Sequence, residues 1–143
     1  MHIEISEGID SILIVEDEGL VSLMMESLAL DMGVHNVHVV ADLEHALEIA
    51  ATEDLDCAVL DLQVRGGDST RVADILAARG IPFMFSTSGY ADALPPQHRH
   101  RPLVTKPFAE DDFKLLLLDT WCLARHAIAP VAEQRVATLG PTD

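Results

Sequence analysis

Short apolar runs alternate along this chain with longer stretches in which apolar residues recur every three or four positions. Ile12-Leu13-Ile14-Val15 and Cys57-Ala58-Val59-Leu60 are uninterrupted, the pattern of strands covered on both faces of a parallel sheet. Reading the runs together predicts strands at about 11–16, 36–41, 56–61, 81–87 and 102–105. Between them, Gly19 to Met32 carries Leu20, Met24, Leu28 and Met32 at helical spacing, with Asp17 or Glu18 placed to cap its start and Gly33 to end it. A second helix follows Asp42 and presents Leu43, Ala46, Leu47 and Ala50. A third follows Asp68, carries Val72, Ile75 and Leu76 on one face, and stops at Gly80-Ile81-Pro82. The strict alternation implies the α/β class: a (βα)5 doubly wound sheet of five parallel strands.

Two helical stretches break the regularity. Ala91 to Arg101 holds Pro95-Pro96 and the run Gln97-His98-Arg99-His100-Arg101, so a helix there is short or irregular. The last helix starts near Ala109, has Glu110, Asp111 and Asp112 at its positive end, and runs to about His126. Phe113, Leu116, Leu117 and Trp121 make one face of it, while Leu115, Leu118 and Cys122 extend the apolar surface around the cylinder. That surplus points to a homodimer or partner face. Beyond Pro130, Val131 to Asp143 has no sustained periodicity and reads as a tail. The expected organisation is an N-terminal extension at 1–9, one domain at 10–127 and a tail at 128–143.

At 143 residues the chain suits one domain with a substantial core. Its 24 acidic residues outnumber 9 basic ones, giving a formal charge of −15. Such a surface repels nucleic-acid phosphates, so no nucleic-acid partner is expected. The N-terminal residues lack the basic and apolar regions of a secretory signal and no run approaches a membrane span. A cytoplasmic protein without a membrane partner is the expectation. Cys57 and Cys122 lie far apart and read as reduced thiols rather than a disulfide or zinc pair.

In a parallel doubly wound sheet, ligands bind beyond the C-terminal ends of the strands. Three predicted strands end on charge: the first on Glu16 and Asp17, the third on Asp61, and the last on Thr105-Lys106-Pro107-Phe108. Carboxylates held close together repel one another, and a hard cation with oxygen ligands, Mg²⁺ foremost, relieves them. Aspartate can attack a phosphoryl group to form an acyl phosphate. Transfer of that kind needs positioning and charge neutralisation, which Lys106 and a metal supply.

With these residues the chain resembles the receiver domain of bacterial two-component response regulators over about residues 10–127. The resemblance implies a flavodoxin-like strand order of 2-1-3-4-5. It places the family's acidic pair on Glu16-Asp17, its phosphoacceptor on Asp61, its switch hydroxyl on Thr87 and its lysine on Lys106. It also implies Mg²⁺ ligation by Asp17, Asp61 and the backbone carbonyl of Gln63, with Glu16 acting at most through water, and a cis Lys106-Pro107 bond. The implied partner is a histidine kinase or phosphotransfer protein, and the implied chemistry is self-phosphorylation rather than turnover of external substrates. The chain departs from the family where an aromatic switch residue is usual, since Leu103 stands there. The segment Pro82-Phe83-Met84-Phe85-Ser86-Thr87-Ser88-Gly89-Tyr90 is similar to the P-F-x-F-A-T-G-G-Y segment of a mostly single-domain receiver subclass associated with HWE-type kinases. Aligning on the Gly-Tyr pair instead of Pro82 puts the switch hydroxyl on Ser88.

Taken one at a time, these residues have plainer readings. Asp61 alone could cap a loop, Lys106 alone could be a solvated lysine, Thr87 is an ordinary strand residue, and Glu16 reads as a solvated neighbour. His98 and His100 have the alternation of a metal pair, but the interleaved Arg99 and Arg101 make a solvated basic loop the better reading. Two other functions compete with the stand-alone receiver. An aspartyl-nucleophile phosphohydrolase needs a carboxylate two residues after its nucleophile, where this chain has Gln63. A phosphorylation-independent adaptor has no need of the Asp17, Asp61 and Lys106 set.

Overall fold

The computed structural model describes residues 9–89 and 93–128, with side chains as far as Cys122. The extension before Ile9, the tail after Ile128, and the Tyr90 and Ala91 positions of the two motifs above lie outside the described residues. The elements in chain order are β1 (Ser11–Val15), α1 (Gly19–Asp31), β2 (Asn36–Val40), α2 (Leu43–Thr52) and β3 (Cys57–Asp61). There follow the two-residue strands β4 (Gln63–Val64) and β5 (Gly67–Asp68), then α3 (Thr70–Ala78), β6 (Phe83–Thr87), β7 (Leu103–Thr105) and α4 (Glu110–Ile128). The main sheet is parallel with order β2-β1-β3-β6-β7. Counting only its five long strands, this is the expected 2-1-3-4-5 winding.

Strand alternation divides the core between the two faces of the sheet. Leu13, Val15, Ala58, Leu60, Phe83 and Phe85 point to one side, where Ala46 and Ala50 of α2 and Val72, Ala73 and Leu76 of α3 cover them. Ile12, Ile14, Cys57, Val59, Met84 and Val104 point to the other, against Met25, Leu28, Ala29 and Met32 of α1 and Phe113 and Leu117 of α4. Every residue of β3 is buried, which is why it reads as one apolar run up to Asp61. Burial also raises the Cys57 thiol to about 12, and Cys57 and Cys122 are both free.

The helix ends show which local signals hold. Asp42 accepts a hydrogen bond from the His45 backbone N–H and caps α2. At α1, however, neither expected residue caps: Glu18 occupies the N-cap without a side-chain cap bond, because its carboxylate is drawn to Lys106. Gly33, at φ 103°, ends α1 as expected. The rotation of α1 also differs from the expected face. Met25, Leu28, Ala29 and Met32 are buried while Leu20 is 85% exposed, since the helix is apolar nearly all round and spacing alone does not select a side.

Between β6 and β7, the described residues hold the 3₁₀ turn Pro96–His98 in place of a regular fourth helix. The expectation of a solvated loop fails at His98, which is buried. Its Nε2 lies 2.8 Å from Asp74 Oδ1 of α3, and its ring meets Phe83 edge-on at 5.4 Å. Arg101 stacks over the same Phe83 ring, 4.1 Å from its centre. His100 is exposed. On α4, Phe113 and Leu117 are buried, and Leu116, Leu118 and Trp121 pack against the same core. Only Leu115 of the leucine run stays largely exposed, so α4 buries more of its apolar surface than its pattern suggested.

Candidate functional site

Three parallel strands deliver the charges to one edge. β1 ends at Val15 and releases Glu16 and Asp17; the Glu16 N–H still donates to the Val40 carbonyl at 3.0 Å, which holds the turn to the sheet. β3 ends on Asp61, paired in register with Ser86 of β6. β7 ends at Thr105, and the Lys106 N–H donates to the Thr87 carbonyl at 2.8 Å, so β6 fixes where the lysine starts. The Lys106-Pro107 peptide is cis.

The side chains converge. One carboxylate oxygen each from Glu16, Asp17 and Asp61 lie within 4.8 Å of one another. Lys106 Nζ donates to Asp61 Oδ2 at 3.1 Å, to Glu16 Oε1 and Oε2 at 3.1 and 3.3 Å, and to Glu18 Oε1 at 3.0 Å. The Gln63 N–H donates to Asp61 Oδ1 at 3.3 Å. Gln63 opens the small β4–β5 hairpin, whose turn includes Gly66 at φ 102°. A side chain there would be strained and would press on Leu43 of α2, 3.2 Å away.

Three carboxylates, from Glu16, Glu18 and Asp61, thus hold one ammonium group, with Asp17 clustered beside Glu16 and Asp61. Glu16 is held above the usual carboxylate range, first by burial, with the Asp61 charge adding to it and the Glu18 N–H and Lys106 opposing it. For Lys106 burial alone would favour the neutral amine, but its hydrogen bonds to Glu18, Asp61 and Glu16 outweigh this and hold it above the usual lysine value. The expectation that Glu16 is solvated is therefore corrected: it is only 1% exposed and clamps Lys106. The three clustered carboxylates are a hard-oxygen donor set suited to Mg²⁺.

Thr87 sits at the end of β6, buried, and its Oγ1 accepts the Gly89 N–H at 3.0 Å. Ser88, the alternative hydroxyl, is exposed. Leu103 is half-buried and paired in register with Phe85, packed on the α2–α3 side of the sheet. The residue that the motif reading missed is Glu18. Its position two residues after Glu16 was the available signal, but it read as a helix cap rather than as a partner for a lysine 88 residues away.

No family model matches the sequence, and no curated protein does. Solved structures do. SdrG from Sphingomonas melonis Fr1 is 38% identical, with a TM-score of 0.71 over 81% of this chain and 98% of that one. The receiver domain of the PhyR response regulator from Erythrobacter litoralis is 31% identical, with a TM-score of 0.68 over 86% and 95%. The BeF3-activated conformation of SdrG, given as from Pseudomonas melonis Fr1, is 38% identical, with a TM-score of 0.62 over 80% and 94%. Five parallel strands in this order, the charged C-terminal edge and these identities define the class: the chain belongs to the response regulator receiver domain family. Among the described residues, no helix is long and apolar enough to cross a membrane.

Proposed function

We propose that this protein takes a phosphoryl group from a histidine kinase or phosphotransfer protein onto Asp61 and signals through protein contacts. The observation that carries the reading is the direct 3.1 Å contact of Lys106 Nζ with Asp61 Oδ2, beside carboxylates from a second strand end. In the transfer, an Asp61 carboxylate oxygen forms a bond to phosphorus as the bond from phosphorus to the donor atom breaks, its electron pair leaving with the donor. Asp17, Asp61 and the Gln63 carbonyl are the proposed Mg²⁺ ligands, with the buried Glu16 holding Lys106 beside them. When bound, the metal neutralises charge on the phosphoryl oxygens. Lys106 is the fixed cation of the site and Thr87 the proposed switch hydroxyl, released from Gly89 to reach the new phosphoryl oxygens. The segment Pro82 to Gly89, similar to that of the HWE-associated subclass, makes a kinase of that type the proposed donor.

Gln63, exposed and carrying no carboxylate, disfavours the phosphohydrolase reading, because no general base lies two residues after Asp61. Incubation with Mg²⁺ and acetyl phosphate followed by intact mass tests the proposal. One phosphate adduct, absent from Asp61→Asn and lost when EDTA is added first, is the expected result. A wild-type protein that gains no phosphate under these conditions is an inert adaptor.

A further inference from the structure

An ammonium group has three protons to donate, and at Lys106 all three are engaged. Asp61 takes one, the two Glu16 oxygens share another, and Glu18 takes the third. A phosphoryl group arriving on Asp61 brings oxygens that also need this cation, so one of the present acceptors has to yield. The three are unequal. The Glu16 side chain is fully enclosed and the Asp61 side chain nearly so, whereas the Glu18 side chain is 64% exposed. Releasing Glu16 would strand a buried charge, which is costly. Releasing Glu18 returns a carboxylate to water. We infer that Glu18 is a displaceable latch on Lys106, which holds the lysine in the resting state and leaves it to the phosphoryl group when Asp61 is modified.

This inference rests on Asp61 being the phosphoacceptor, and it assigns Glu18 a positioning role rather than contact with the phosphodonor. It also links the site to the start of α1. Glu18 is the N-cap residue of that helix and forms no cap bond while it holds the lysine. Leu20, two residues on, is 85% exposed, so release of the latch frees the first turn beside an exposed leucine.

The test is the rate of phosphorylation by acetyl phosphate with Mg²⁺ in wild type, Glu18→Gln and Glu18→Asp. Glu18→Gln removes the charged latch. The expected rise in rate constant at saturating acetyl phosphate is about two- to five-fold, equivalent to about 0.4–1 kcal/mol at 1.4 kcal/mol per tenfold. Glu18→Asp keeps the charge but is one methylene shorter than a reach now spanned at 3.0 Å. It should therefore also be faster than wild type. If the aspartate variant matches wild type while the glutamine variant is faster, general charge rather than a latch sets the rate, and the inference falls. Equal or slower rates in both variants overturn it as well. A wild type that takes no phosphate overturns both this and the proposed function. As an independent readout, beryllofluoride should move the Glu18 side-chain carboxyl ¹³C resonance toward its position in Lys106→Ala. A Glu18 signal unmoved by beryllofluoride contradicts the latch.

Discussion

Replacing Asp61 by asparagine should make the metal-free protein more stable, although it removes a hydrogen-bonded ion pair. The Lys106 ammonium lies 3.1 Å from Asp61 Oδ2, an attraction of about 5 kcal/mol at an effective dielectric constant of about 20. Glu16 and Asp17 each place a carboxylate oxygen within 4.8 Å of Asp61, so each repels it by at least about 3.5 kcal/mol on the same scale. Two repulsions outweigh one attraction, and Asp61 has also lost most of its hydration, being only 6% exposed. Asparagine keeps the shape and an acceptor for the Gln63 N–H. After allowance for partial screening and for the weaker bond to Lys106, the expected gain is about 1–2 kcal/mol, or about 3–10 °C in melting temperature for a domain of this size. Urea and thermal unfolding in EDTA at low salt measure it. Mg²⁺ should narrow or reverse the difference, because a ligand at a hundred times its dissociation constant stabilises wild type by about 2.7 kcal/mol. An Asp61→Asn protein less stable than wild type by more than about 1 kcal/mol in EDTA would mean that the Lys106 attraction exceeds the carboxylate repulsion at Asp61.

Asp42→Ala removes the acceptor for the His45 N–H and should cost about 1 kcal/mol in urea unfolding, with the slope unchanged. Cys57, fully buried, should resist a disulfide reagent at pH 8 until the protein is unfolded by urea. Its raised value of about 12 against an ordinary 9.0 fixes the sign of the alkaline effect. The contribution is intact below about pH 9 and is lost as pH rises toward 12, at up to about 1.4 kcal/mol per unit. Lys106, also raised, pushes in the same direction above its ordinary 10.5. Urea midpoints that are flat or rising between pH 9 and 11 contradict the assignment.

The fold was legible because its central strands are covered on both faces. β1 and β3 can only be continuous apolar runs, and their ends are marked by the first charges, Glu16 and Asp61. Boundaries predicted for the strands differ from those observed by two residues at most, the largest being at the start of β6. What the pattern did not give is rotation and long-range pairing. α1 has apolar residues on every side, so the buried set Met25, Leu28, Ala29 and Met32 follows from packing against α4 and the sheet rather than from spacing. The β4–β5 hairpin is two residues per strand, below what alternation can signal. His98 reads as one polar residue in a basic loop, and its burial depends on Asp74, Phe83 and Phe85, all supplied from elsewhere in the chain. At the site, the motif residues Glu16, Asp17, Asp61 and Lys106 do come together. The burial of Glu16 and the engagement of Glu18 depend on where Lys106 ends, which no local sequence feature records.

If Asp61 carries the phosphoryl group, borohydride trapping should locate it there. Protein treated with acetyl phosphate and Mg²⁺ is reduced with borohydride, which converts an aspartyl phosphate to homoserine, then digested and mapped by mass. Homoserine is expected at residue 61 and nowhere else, dependent on both Mg²⁺ and the phosphodonor. Homoserine at Asp17 or another aspartate, or a phosphate that survives on a serine, threonine or histidine with residue 61 unchanged, would contradict it.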